Sequence, residues 1–192
     1  MNGERNRVPE YLDIVDEDNR VTGKANREKI HGSGLWHRGV HVLVFDSKGH
    51  LILQTRSFTK DKFPNHNDCS VSEHLKSGES YETAAIRGLR EELKISDVKL
   101  KKLLRFKMNY GPNDNMISEL YECHYDGQVQ PDKHEIQKLA AFSLIEIKEN
   151  LFKMENKFAP WTKEILKWYL RIPSKVETSS KLKENPLRSK QQ

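Results

Sequence analysis

Two adjacent carboxylates, Glu91 and Glu92, stand near the end of the stretch GESYETAAIRGLREELKI, and Arg87 precedes Glu91 by one helical turn. At about 100° per residue, Glu91, Glu92 and Gly88 share one flank of a helix, while Ala85, Ile86, Leu89 and Leu93 form a narrow apolar stripe beside it. Paired carboxylates next to a buried stripe suit a divalent cation that keeps part of its shell for phosphate oxygens. An arginine at i, i+4 spacing orients the nearer acid. A bare Glu-Glu pair is more often a solvated face, so the surroundings decide. One of them is odd: Gly88, which costs about 1 kcal/mol relative to Ala inside a helix, leaves a gap on the acidic flank.

The elements that must position this helix read as an α+β domain. EYLDIVDEDNRVTG predicts a hairpin turning at DEDN, and HVLVF and HLILQTR predict a second hairpin around DSKG. KIHGSGLWHRG between them, with its glycines, reads as a loop, as does the polar FTKDKFPNHND. After the acidic helix come two β-rich runs, VKLKKLLRFKMNY and MISELYECHY, separated by the turn GPNDN, and then a strand in KLAAFSLIEI. Helices are expected around 147–154 and 162–170, the second with Trp161, Ile165, Trp168 and Tyr169 spaced to pack on a sheet. Strands and helices without strict alternation predict a mixed β-sheet between helical layers. One domain over 1–172 is expected, with a core of about 36–170 and a β extension of about 10–35; 173–192 reads as a basic, disordered tail.

With 192 residues and 35% hydrophobic content, the chain is long enough for one real core. No apolar run reaches the ~20 residues of a membrane span, the N-terminus lacks a secretory h-region, and two cysteines make no disulfide framework. The expectation is a soluble, cytoplasmic protein. Of the net charge of +5, the last twenty residues supply +3, so the basic balance belongs mostly to the tail and predicts no specific nucleic-acid partner.

The acidic stretch resembles the Nudix box, G-x5-E-x7-R-E-U-x-E-E-x-G-U with U aliphatic. Glu79 takes the first acidic position, Arg87 the arginine, Leu89 an aliphatic, Glu91 and Glu92 the metal-binding pair, and Ile95 the closing aliphatic. Three positions depart: Glu73 stands at the first glycine, Gly88 at the glutamate after the arginine, and Lys94 at the last glycine. The resemblance implies a Nudix-like α/β/α sandwich and hydrolysis of a small-molecule diphosphate with Mg²⁺ or Mn²⁺. Glu91 and Glu92 would hold the cation, Arg87 would order Glu91, and Glu79 would support the loop. Without a glutamate at 88, the general base falls to Glu135, which matches a late loop glutamate used by some of these hydrolases. Arg38, Arg56 and Lys60 are candidate phosphate contacts.

GLWHRGVHVLVFDSKGHLILQTRS and DCSVSEHLKSGES further resemble the branch related to type I isopentenyl-diphosphate isomerase, over roughly residues 10–170. That branch holds a metal with three histidines and two glutamates, and tolerates a non-acidic residue where Gly88 stands. Carried over by position, the metal ligands are His37, His74, His31 and Glu119, with Glu92 reaching a second ion. His50, His66, His124 and His134 read as ordinary histidines. The isomerase chemistry needs a thiol where this chain has Ser72, a far weaker acid, and strand alternation turns Cys69 to the opposite face. A metal-dependent hydrolase is therefore the leading expectation. An isomerase-like enzyme and a non-catalytic diphosphate-binding module are the alternatives.

Overall fold

The computed structural model describes residues 10–178. It opens with the expected hairpin, β1 (Tyr11–Val15) against β2 (Val21–Asn26). The Asp16 carboxylate ties its turn, accepting from the backbone N–H of Asp18 at 3.0 Å and of Arg20 at 2.8 Å. The next stretch, expected as a loop, begins with a helix, α1 (Arg27–Ser33). Local capping explains the difference. Asn26 accepts the N–H of Lys29, Gly34 closes the helix at φ 63°, and buried Ile30 packs on Leu12 and Ala25. Gly34 therefore marks a helix end.

The central strand β3 (His37–Phe45) pairs in parallel with β8 (Asn115–His124) along its whole length. On its other edge it meets β4 (Leu51–Arg56) only at Val44↔Ile52 and Phe45↔Leu51. Beyond that point the two strands diverge, and β5 (Asn67–Asp68) and β6 (Val71–His74) fill the fork, β5 on β4 and β6 on β3. The long hairpin partner β7 (Lys101–Asn109) pairs with β8, β9 (Ile136–Phe142) with β4, and β10 (Glu177–Thr178) with β7. Alternation along β3 splits the core in two. Val40, Val42 and Val44 face Val71, Ala85, Leu89 and Leu93 under α2 (Tyr81–Leu93). Leu43 and Phe45 face Ile147 and Leu151 of α3 (Leu144–Lys153) and Trp161 and Ile165 of α4 (Pro160–Tyr169). The result is the expected mixed sheet between helical layers.

Two expectations need correction. Ile86, assigned to the buried stripe of α2, is 48% exposed, whereas Ala84, Gly88 and Glu92 face inward. The buried face is therefore centred near Glu92. Gly88 permits this seating, because a Cβ there would come within 2.5 Å of the Val71 side chain. The second correction concerns the tail. Residues 173–178 are folded against the domain: Ser174 Oγ donates to the Glu164 carbonyl at 2.9 Å, and β10 extends the sheet. The basic remainder, 179–192, lies outside the described residues. Among the described residues, both cysteines are free and buried, and no helix is long and apolar enough to cross a membrane.

Candidate active site

A cleft of about 770 Å³ opens beside the fork between β3 and β4. His31 from the last turn of α1 and His74 at the end of β6 line it and meet His37, buried behind them at the start of β3, with ring centroids 4.9, 5.2 and 5.1 Å apart. A ligand nitrogen of each lies within 4.8 Å of the others. His37 Nδ1 donates to the Leu35 carbonyl at 3.1 Å, which leaves Nε2 with the lone pair. The Nε2 atoms of His31 and His37 are buried with no hydrogen-bond partner among the described residues. Burial, then the neighbouring His37, holds His31 down to about 4; burial lowers His37 and, followed by the proximity of His37, lowers His74 well below the usual imidazole range. All three rings are thus neutral at neutral pH, the form that binds metal. The Asp114 carboxylate stands 3.6 Å from His31 Nδ1 and 3.1 Å from Lys62 Nζ.

The second donor set lies on α2 and its neighbour β6. The α2 N-cap is Ser80, whose side chain accepts from Thr83 N–H. Arg87 is the organiser: it donates to Glu79 at 2.9 and 3.1 Å, to Glu73 at 3.1 Å, to Glu91 at 3.3 Å and to the His74 carbonyl at 2.9 Å. Glu79 also accepts the Lys76 N–H at 2.9 Å, so it fixes the loop before the helix. Glu91 reaches the cleft, while Glu92 is buried behind it, with Oε2 accepting from Gln54 and Oε1 unpartnered. Burial first, and the charge of Glu73 second, raise the Glu92 carboxyl well above the usual range. Lys94 closes α2 at φ 58°, and its Nζ caps the Glu91 carbonyl at 3.0 Å, which compensates the absent glycine.

Other expected site residues fall elsewhere. Glu119 is not in the histidine cluster. Its side chain is saturated by Arg105 at 2.6 Å, Lys102 and the Tyr121 hydroxyl at 2.6 Å, facing the opposite side of the sheet from Ser118 and His41. Asp114 takes the carboxylate place beside the cage. Arg38 lies outside the cleft lining, donating to Asn19 at 2.9 and 2.7 Å over the Tyr81 ring. Arg56 borders the cleft, but its guanidinium is consumed by Asp68 at 2.8 Å and the Lys62 carbonyl. Lys60 and Glu135 do line the cleft, paired with each other. Lining residues that the sequence did not single out include Arg27, His41, Lys62, Lys76 and Asp114, and His134, read as ordinary, also borders it. The parallel register His37↔Met116 brings the turn before β8 beside the cage, a signal available only once β3 and β8 are known to pair.

An α/β/α sandwich with the acid-bearing helix α2 under one face of a mixed sheet defines a Nudix-type domain. The chain belongs to the Nudix family: the NUDIX domain model matches residues 35–169. It is 36% identical over 137 residues to an uncharacterized Nudix hydrolase of Streptomyces coelicolor, covering 71% of this chain and 76% of the relative. It is 28% identical over 164 residues to an isopentenyl-diphosphate Delta-isomerase of Serratia proteamaculans, covering 83% and 91%. The crystal structure of DR0079 from Deinococcus radiodurans matches with a TM-score of 0.70 at 25% identity, covering 83% of this chain and 98% of that one.

Both donor sets fit divalent cations. Convergent neutral imidazoles with orphaned nitrogens suit a transition-metal ion, and a carboxylate set with an orphaned buried oxygen suits Mg²⁺ or Mn²⁺.

Proposed function

We propose that this chain is a metal-dependent Nudix hydrolase that cleaves a small diphosphate-linked metabolite. One observation carries the reading: His31 and His74 of the cage and Glu91 of α2 line a single cleft whose walls bear Arg27, Lys60, Lys62 and Lys76. Cations on the walls match the anionic oxygens of a diphosphate, and the volume is that of a small-molecule site. A bound divalent cation supplies charge neutralisation at the phosphate oxygens and a more acidic water. His31, His37 and His74 would hold one ion, with Asp114 facing the other ring nitrogen of His31, and Glu91 and Glu92 would hold another. Arg87 keeps Glu91 and Glu79 in place, so its contribution to catalysis is positional. Glu135 is the proton acceptor for the attacking water, and Lys60 is its ion-pair partner. Lys62 and Lys76 receive phosphate oxygens.

The histidine cage also favours an isomerase-like reading. Acid–base groups argue against it. Ser72 Oγ donates to Asp68 at 2.8 Å and contacts His41 at 3.0 Å, with no thiol in its place. Cys69 is buried against Thr162, and burial pushes its thiol far up.

The test is formation of phosphomonoester products, separated by chromatography, from nucleotide-linked diphosphates and dinucleotides, and of monophosphate plus orthophosphate from isoprenoid diphosphates, with Mg²⁺ or Mn²⁺ and a Glu91→Gln, Glu92→Gln variant as blank. Turnover that disappears in the blank is the expected result, and the best substrate identifies the linked group. Rearrangement of isopentenyl diphosphate seen by NMR, without phosphate release, would replace this reading with the isomerase. Neither reaction, with tight binding of one compound, would leave a binding module.

A further inference from the structure

Gly88 and Glu73 are the two positions where the box departs from its pattern on the acidic flank, and in the fold they are neighbours. A Cβ on Gly88 would come within 2.5 Å of Val71 Cγ1 and 3.1 Å of Glu73 Cγ. The space a side chain at 88 would need is filled from β6. Register explains how: Glu73 pairs with Val40 and Val71 with Val42, so Val71 and Glu73 point to the same face as the valines that pack under α2. The Glu73 carboxylate ends against Arg87 Nη1 at 3.1 Å, the same nitrogen that holds Glu91 at 3.3 Å. Beside it stands Glu92, 4% exposed, with Oε1 lacking a hydrogen-bond partner among the described residues.

A strand residue reaching into a helix's gap with a third carboxylate is costly unless something neutralises the group. Arg87 is one guanidinium shared among Glu73, Glu79 and Glu91, and it leaves Glu92 Oε1 unanswered. Buried charged or polar groups without partners are rare in folded proteins, and an unmet carboxylate oxygen in an acidic pocket calls for a cation. We infer that Glu73 supplies the cation ligand that α2 lacks at Gly88. The carboxylate has been relocated from helix to strand, and Glu73, Glu91 and Glu92 together form the oxygen-ligand set. Glycine at 88 is then a requirement of the arrangement, since it makes room for Glu73. The inference rests on reading α2 as a cation-binding helix.

The experiment counts Mn²⁺ bound to the full chain by electron paramagnetic resonance and calorimetry, in a His37→Ala, His74→Ala background that leaves only the acidic set. Glu73→Gln, an isosteric change, is expected to weaken Mn²⁺ by at least about tenfold. It should also remove most of the Mn²⁺-dependent rise in melting temperature. A residue that only partners Arg87 would lower the metal-free melting temperature and leave that rise intact. A second variant moves the carboxylate back: Glu73→Gly and Gly88→Glu, with Val71→Ala to clear the clash. It should bind Mn²⁺ better than the Val71→Ala, Glu73→Gly control. Unchanged Mn²⁺ binding in Glu73→Gln overturns the assignment, as does a folded swap variant no better than its control. If Glu91→Gln, Glu92→Gln weakens Mn²⁺ and Glu73→Gln does not, the relocation alone falls. If neither matters, the cation-binding helix falls with it.

Discussion

The two donor sets of the cleft are built on opposite principles. The cage takes one imidazole from each of α1, β3 and β6 and keeps all three neutral by burial. The acidic set crowds carboxylates onto α2 and one neighbouring strand and restrains them with a single arginine. Neutral donors need dry surroundings and correct tautomers, which three separate elements provide only when the whole fold has closed. Charged donors need a counterion, and one helix with one arginine can organise them locally. This is why the acidic set has a sequence motif and the cage has none of comparable length.

The sharpest way to break the comparison is to silence one set at a time. Glu91→Gln with Glu92→Gln should lower kcat/KM by on the order of 10³-fold, the scale of losing a dominant electrostatic group, while metal at the cage, measured by elemental analysis, stays. His37→Ala should reduce cage affinity for a transition-metal ion by on the order of 100-fold, since losing a ligand exceeds losing its supporting contacts. Calorimetry would then show the acidic set unchanged; weakening of both would make the two sets one site.

Protons distinguish the sets by sign. Buried His41 is held down to about 4 from an ordinary 6.5, so the unfolded chain takes up its proton first as pH falls. Metal-free stability should therefore decline between pH 6.5 and 4, with His41 contributing on the order of 3 kcal/mol in full at about 1.4 kcal/mol per pH unit. His31, also held near 4, acts in the same direction. Glu92 works the other way. Its raised carboxyl is protonated in the fold when the unfolded chain has already lost its proton, so its contribution declines as pH rises above the ordinary carboxylate range. Glu92→Gln should accordingly raise metal-free stability at neutral pH while removing activity, and urea denaturation across pH 4 to 8 would read both arms.

The smallest effect isolates a support of the cage. Asn26→Ala removes the N-cap of α1 and should cost about 1 kcal/mol, with weakened binding at His31 and no change at α2. An equal loss at both sets would show that they are mechanically joined.

Much of the fold was legible because its elements are periodic and well punctuated: the hairpins at DEDN and DSKG, the strands around GPNDN and the amphipathic α4 stand where the pattern puts them. The Nudix box was legible through spacing. What escaped depended on which face a residue occupies. Glu119 looked like a ligand by its place along MISELYE, but alternation on β8 turns it toward Arg105 and Tyr121. Asp114 sits in an unremarkable turn, and only the β3–β8 register brings it to His31. Arg38 and Arg56 were plausible by charge, yet Asn19 and Asp68 had already claimed them. Glu73 was visible as an anomaly, and Gly88 as another; their being one feature required the contact between β6 and α2.

Glu73 and His74 are consecutive residues on β6, Glu73 beside the α2 acids and His74 in the histidine cluster. Consecutive Cα atoms are about 3.8 Å apart whatever the rest of the chain does. The backbone spacing of these two positions is thus fixed by a single peptide unit, and alternation along β6 turns their side chains to opposite faces of the strand. Diversification toward new substrates is left to what lies beyond that fixed spacing, above all the Lys60–Lys62 loop and the turn bearing Asp114, which border the cleft.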